Sequence, residues 1–150
     1  MEGLPESAAM LQEAAARGED MRPAMYRVGL LFQEGHREQF ASQGRYLGTP
    51  WPENSEETLL RKARSGVPGL QGSLVEEGDL QQAVEGGKGG FLRARRGSVS
   101  VGVKDFKARF AQGGASGNRR GTEPARPILG INEIEGRESL TILTSYLLGR

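Results

Sequence analysis

Apolar positions along this chain fall into helix-spaced stripes over the N-terminal third. They switch to two-residue alternation near residue 100 and return to helix spacing at the C-terminus. Met21, Met25, Val28, Phe32, His36 and Phe40 follow one another at three- or four-residue steps, which places them on one helix face. That stripe predicts a helix over 21–42, preceded by Glu19-Asp20 and carrying Pro23 in its first turn. Leu4, Ala8, Leu11 and Ala15 share a face of a shorter helix over 5–17, with Pro5 in its first turn and Gly18 as its stop. This second face is mostly alanine, so the helix is weakly anchored and suited to docking on a neighbour. A third helix is predicted over 55–65, where Asn54 and Glu57 stand at capping-box spacing and Gly66 follows the last turn. Arg61, Lys62 and Arg64 suit the carbonyl end of that helix.

Between these helices, residues 43–54 are turn-rich, and Trp51 between two prolines is expected to plug the core from a loop. Residues 66–79 read as glycine-punctuated loop. Strands are expected at about 80–85, at Phe91–Arg95 and at Ser98–Val103, with Arg96-Gly97 as the tight turn of the last pair. Ser98-Val99-Ser100-Val101-Gly102-Val103 alternates small or polar residues with valine, so one strand face is buried. Residues 104–112 form a short helix or turn, and the low-complexity stretch 113–123 is expected to be mobile in a free monomer. A terminal helix over 132–148 has Asn132 as its cap, with Glu135 three positions on. Ile134, Leu140, Ile142, Leu143, Tyr146 and Leu147 form its apolar side. The fold class is therefore α+β: N-terminal helices, a small antiparallel sheet with long Gly-rich loops, and a C-terminal helix in one domain over 1–150.

One stretch fits none of these periods. In Pro124-Ala125-Arg126-Pro127-Ile128-Leu129-Gly130 two prolines bracket an arginine. Each proline fixes its own φ and pushes the preceding residue towards extended geometry. The chain is thus held straight, with Arg126 on a stiff segment and Ile128-Leu129 available as an anchor.

Composition sharpens this picture. The apolar share is 36%, the mean hydropathy −0.52, and 23 of 150 residues are glycine. The core is thin for this length, and much of the chain is loop or needs a partner to be ordered. The absence of cysteine removes disulfides, thiolate nucleophiles and cysteine zinc sites. It also fits a reducing compartment. No apolar run approaches the roughly 20 residues of a membrane span, and no signal-peptide pattern opens the chain, so a cytoplasmic protein is expected. The net charge of +1 conceals a split. Residues 1–87 hold 8 Lys/Arg against 14 Asp/Glu, net −6, and residues 88–126 hold 10 against 2, net +8. Such segregation suits a polyanion partner, or copies that pack positive face to negative face.

Candidate chemistry is sparse. There is no GxxxxGK[ST], GxSxG or HExxH. Gly86-Gly87-Lys88-Gly89-Gly90 lacks P-loop spacing and reads as a flexible hairpin tip. Glu56-Glu57 and Glu76-Glu77 are sequence neighbours that do not converge on one point. His36, the only histidine, lies on an apolar stripe and reads as a hydrogen-bonded, semi-core residue. No catalytic residue, metal or cofactor is expected, and the chain does not read as an enzyme. A nucleic-acid-binding module using 88–126 is the alternative function. Its arginines would face a phosphate backbone, while Phe91, Phe106 and Phe110 sit among Leu and Val and are expected to pack in the core.

Taken in order, these segments resemble the phage virion morphogenesis family, the tail-completion proteins of tailed bacteriophages including the Mu-like group. The resemblance runs from about Met21 to Leu148. It is carried by the helix over 21–42, the loop Gly48-Thr49-Pro50-Trp51, and the basic helix segment Thr58-Leu59-Leu60-Arg61-Lys62. Leu74, Gly78 and Leu80, the strand end Val101-Gly102, and Pro124-Ala125-Arg126-Pro127-Ile128-Leu129-Gly130 complete it. Where the family tends towards Tyr-Ala-x-x-His-Gln-Phe-Gly, this chain reads Lys107-Ala108-Arg109-Phe110-Ala111-Gln112-Gly113-Gly114. Ala108, Gln112 and Gly114 remain, and any role tied to the histidine is absent. The resemblance implies a non-enzymatic virion part at the neck or upper tail, assembled in the host bacterial cytoplasm and acting in tail completion and head–tail joining. It implies a homo-oligomeric ring, a hexamer, around the DNA path, in contact with neck or tail-tube proteins. The implied interface residues are Gly78, Leu80, Gln112, Gly114, Pro124, Arg126, Pro127, Leu129 and Gly130. Arg93, Arg95, Arg96, Arg119 and Arg120 are the candidates for lining a DNA lumen.

Overall fold

The computed structural model describes residues 4–66, 79–104, 107–118 and 121–150. Helix α1 spans Leu4–Glu19 and α2 spans Arg22–Ala41, followed by a 3-10 turn at Arg45–Leu47. Next come α3 (Glu56–Arg64), α4 (Asp79–Val84), strands β1 (Gly90–Ala94) and β2 (Val99–Val103), and α5 (Lys107–Gly113). Strands β3 (Ala115–Asn118) and β4 (Gly121–Glu123) precede the terminal helix α6 (Glu133–Leu148). The arrangement is α+β, as expected, and among the described residues no helix is long and apolar enough to cross a membrane.

Helix α2 is the organising element. Val28, His36 and Phe40 of its stripe are buried, and Met21, Met25 and Phe32 are half-buried. Asp20 fastens its start by accepting hydrogen bonds from the Arg22 backbone N–H at 3.1 Å and from its Nε at 2.7 Å. The pair β1–β2 lies across α2, with Leu92 and Val99 reaching Gly29. β1 and β2 are antiparallel, Leu92 opposite Val101 and Ala94 opposite Val99. Arg96-Gly97 forms the turn, closed by the Arg95 N–H donating to Ser98 O at 2.8 Å. Helix α6 packs on α2 at the glycine in position 35, where any Cβ would overlap Glu135. Asn132 and Glu135 close the expected capping box, each side chain accepting the other's backbone N–H at 2.8 Å.

Four expectations change. The strand expected at about 80–85 is instead the helix Asp79–Val84, because Leu80, Ala83 and Val84 recur at helix spacing and all three are buried on one face. The glycines at 86–90 therefore join a helix to a strand and do not form a hairpin tip. The cap of α3 is Ser55, whose Oγ accepts from the Thr58 N–H at 3.3 Å, one position past the Asn54 expected from spacing. Helix α1 runs through Gly18 to Glu19. The Gly-rich stretch also contains a pairing that composition did not predict, β3 with β4.

The core is small. Phe40, Trp51, Leu80, Val84, Ala108, Ala111 and Ile128 form one buried cluster, with Val103 and Leu129 packed against it. Trp51 enters from its loop as expected and meets Phe40 edge-on, ring centroids 5.1 Å apart.

Candidate assembly interface

The extended segment 124–130 is built into the molecule from three sides. The Gln112 Oε1 accepts the backbone N–H groups of Ile128 at 2.9 Å and Leu129 at 3.0 Å, and its Nε2 donates to Leu129 O at 2.7 Å. One amide thus replaces a strand partner for two residues. From α2, the buried Gln39 donates Nε2 to Pro127 O at 2.8 Å and accepts the Leu47 N–H at 2.9 Å. Trp51 Nε1 donates to the same Pro127 carbonyl at 3.0 Å. Proline cannot donate, so Pro127 contributes its carbonyl here, while the Gln112 amide serves the N–H groups of Ile128 and Leu129. Ile128 is fully buried, which contributes about 1.5–3 kcal/mol relative to exposure.

Arg126 anchors the outer side. Its backbone N–H donates to Ala111 O at 2.6 Å. Its guanidinium donates to Pro52 O at 3.3 Å and Glu53 O at 3.4 Å, the carbonyls that lead into α3. The stiff arginine therefore positions the α3 entry. Pro124 and Ala125 remain exposed, and Leu47 lies against Gly130.

The other sequence-predicted residues distribute as follows. Leu80 is buried in the core. Gly114 adopts φ +71°, a region that favours glycine, at the junction of α5 and β3. Of the family's eight-residue pattern, Ala108 sits in the core, Gln112 clamps segment 124–130 and Gly114 turns the chain. Ala111, which stands where the pattern has histidine, is also buried in the core, and its carbonyl accepts the Arg126 N–H. Arg93, Arg95 and Arg96 are exposed on the β1–β2 hairpin. Leu92 and Val99 face α2, so Arg93 and Phe91 lie on the opposite, outward face, the guanidinium 5.6 Å from the ring centroid. Phe110 is 43% exposed rather than packed in the core, because the α5 face turned inward is Ala108 and Ala111. Gly78, Phe106, Arg119 and Arg120 lie outside the described residues.

His36 is buried, as its place on the stripe implied, and its Nδ1 has no hydrogen-bond partner among the described residues. Burial holds its pKa below the ordinary 6.5, partly opposed by a hydrogen bond with the Gly130 backbone. Burial raises the Glu135 carboxyl, opposed by the Asn132 backbone N–H and the nearby Tyr46 hydroxyl. Asp20 shifts the other way, down to about 2, through its hydrogen bonds with Arg22. Among the described residues no group of three or more His, Asp or Glu could hold a metal ion. Two features escaped sequence reasoning. Gln39 lies on the inward face of α2 beside Phe40, where a polar residue on an apolar stripe was the available signal. Lys62 is 3% exposed on α3, whereas Leu59 and Leu60 are 37% and 52% exposed. The helix is turned inside out relative to its composition.

No curated protein and no solved structure matches the chain. The model of the phage virion morphogenesis family matches residues 5–148, nearly the whole length. Membership points to a structural, virion-associated role in phage morphogenesis, in contact with other virion components. The chain belongs to the phage virion morphogenesis family.

Proposed function

We propose that the protein is a tail-completion or neck subunit of a tailed phage, acting in head–tail joining as one member of a homo-oligomeric ring, a hexamer, around the DNA path. The observation that carries this reading is the family match over residues 5–148. The segregated surface supports it. Exposed Arg93, Arg95 and Arg96 crowd one hairpin, while exposed Glu6, Glu13 and Glu19 lie on α1. A ring of identical subunits joins one face to a different face of the next copy, and an uneven surface charge suits that contact. In this reading Pro124 and Ala125 form the outward part of the contact segment, held in place by Gln112, Arg126, Pro127, Leu129 and Gly130.

The test is a phage stock made without this protein. Loose heads beside finished tails, or tails of abnormal length, are the expected outcome; infectious particles at normal yield would sink the proposal. A second reading, DNA contact by the hairpin, is favoured by the outward Arg93–Phe91 pair. It predicts non-specific DNA binding that weakens steeply with salt and is lost in an Arg93→Ala/Arg95→Ala/Arg96→Ala variant.

A further inference from the structure

Two helices leave their apolar stripes uncovered. On α1, Ala8, Leu11 and Ala15 all face solvent, with Leu11 71% exposed and neighbouring Met10 59% exposed. The helix is fastened mainly at its C-terminal end. Arg17 Nη1 donates to Leu147 O at 3.1 Å, and the Tyr146 hydroxyl donates to Asp20 O at 2.9 Å just beyond it. A helix of 16 residues with so little packing is marginal in water by itself. On α3, Lys62 is buried and Thr58 half-buried, while Leu59, Leu60 and Ala63 form the outward stripe. Among the described residues, this amphipathic helix hides its lysine and leaves its leucines exposed.

The two helices are complementary in charge at one end. The first turn of α1 carries Glu6 and its last turn carries both Arg17 and Glu19, while α3 begins with Glu56 and Glu57 and ends with Arg61 and Arg64. Laid antiparallel, Glu6 meets the Arg61–Arg64 end of α3, and the helix dipoles oppose favourably. The two helices also leave opposite ends of α2 within one copy. α1 joins the molecule at the N-terminal end of α2 and α3 departs from its C-terminal end, and 20 residues of helix between those points span about 30 Å. Two different patches at opposite ends of a rigid rod are what a head-to-tail contact needs.

We propose that α1 of one copy packs antiparallel on the Leu59–Leu60–Ala63 face of α3 in a second copy, forming the repeating joint of the assembly. This rests on the ring reading above and names its contact. The same geometry gives Arg126 a role in assembly, since its hydrogen bonds to Pro52 O and Glu53 O set the entry to α3.

The chain has no native cysteine, so pairs can be introduced cleanly. The Leu11→Cys/Leu60→Cys double variant, treated with a short bismaleimide, is expected to give a ladder of linked copies on a denaturing gel. Each single variant is expected to stay unlinked. Leu11→Lys and Leu60→Lys change exposed positions, so their circular dichroism and melting should match the parent, while association in light scattering weakens roughly tenfold or more. Linked dimers from Leu11→Cys alone would overturn the proposal, since α1 would then meet α1. An oligomer that both lysine variants leave intact would overturn this joint and leave the ring standing. A parent chain that stays monomeric, alone and with tail components, would overturn both.

Discussion

Gln112 shows how one side chain can decide the path of a distant segment. Its amide serves two N–H groups and one carbonyl of Ile128-Leu129, in a place where the neighbouring prolines deny the chain a regular ladder. Gln112→Ala is expected to lower stability by about 1–2 kcal/mol, limited by the solvent access of the site. Ile128→Ala removes a fully buried side chain and should cost about 2–5 kcal/mol, read by denaturant unfolding. His36 brings a pH dependence whose sign is set by burial. Its folded pKa lies below 6.5, so the unfolded chain takes up the proton first as pH falls. The contribution is present above pH 6.5 and lost as pH falls through the folded value. Melting temperatures measured from roughly pH 7.5 down to pH 5 should decline, and His36→Gln should flatten that decline. An unchanged slope in the variant would remove His36 from the account.

At the level of elements, the α2–α6 contact depends on a missing side chain. The glycine at position 35 lets the Glu135 carboxylate sit against the α2 backbone while it caps α6. Gly35→Ala gains helix propensity on α2 but forces the two helices apart, and a net loss of about 1–3 kcal/mol is expected from thermal melting. Glu135→Gln should retain the cap, because glutamine serves the same capping-box position, and it removes a buried charge. Helix α6 itself was readable from its apolar spacing and from Asn132 and Glu135. Helix α4 differs from the expected strand because six residues are too few for periodicity to separate a short helix from a buried strand. Its Leu80–Ala83–Val84 spacing carried the correct answer. The β3–β4 pairing was illegible, since Gly, Ser and Asn have little strand preference and pair there through backbone groups.

For the molecule as a whole, the prediction concerns assembly. Arg126→Ala is expected to leave the monomer folded and to impair assembly, because it releases the carbonyls before α3. Parent-like particle yield from that variant would refute this. Exposed acids of the −6 block lie on α1, α2 and α3, and exposed bases of the +8 block lie on the β1–β2 hairpin and α5. Association that depends on charge should weaken with added salt, whereas the apolar part of the α3 contact should not.

The sequence by itself determined the α+β class, the order of the long helices, the hairpin turn at Arg96-Gly97, the α6 cap and the Trp51 plug. Each of these depends on periods, caps and turns that act over a few residues. Its family resemblance also held over nearly the whole chain. Only the tertiary structure decided that Gln112, Gln39 and Trp51 converge on segment 124–130, and that Arg126 reaches back to Pro52 and Glu53. It alone showed that α3 turns its leucines outward. These arrangements join residues 16 to 88 positions apart, or depend on which face of a helix finds a neighbour. No local pattern encodes that choice, because it is made by the competition of all surfaces for one small core.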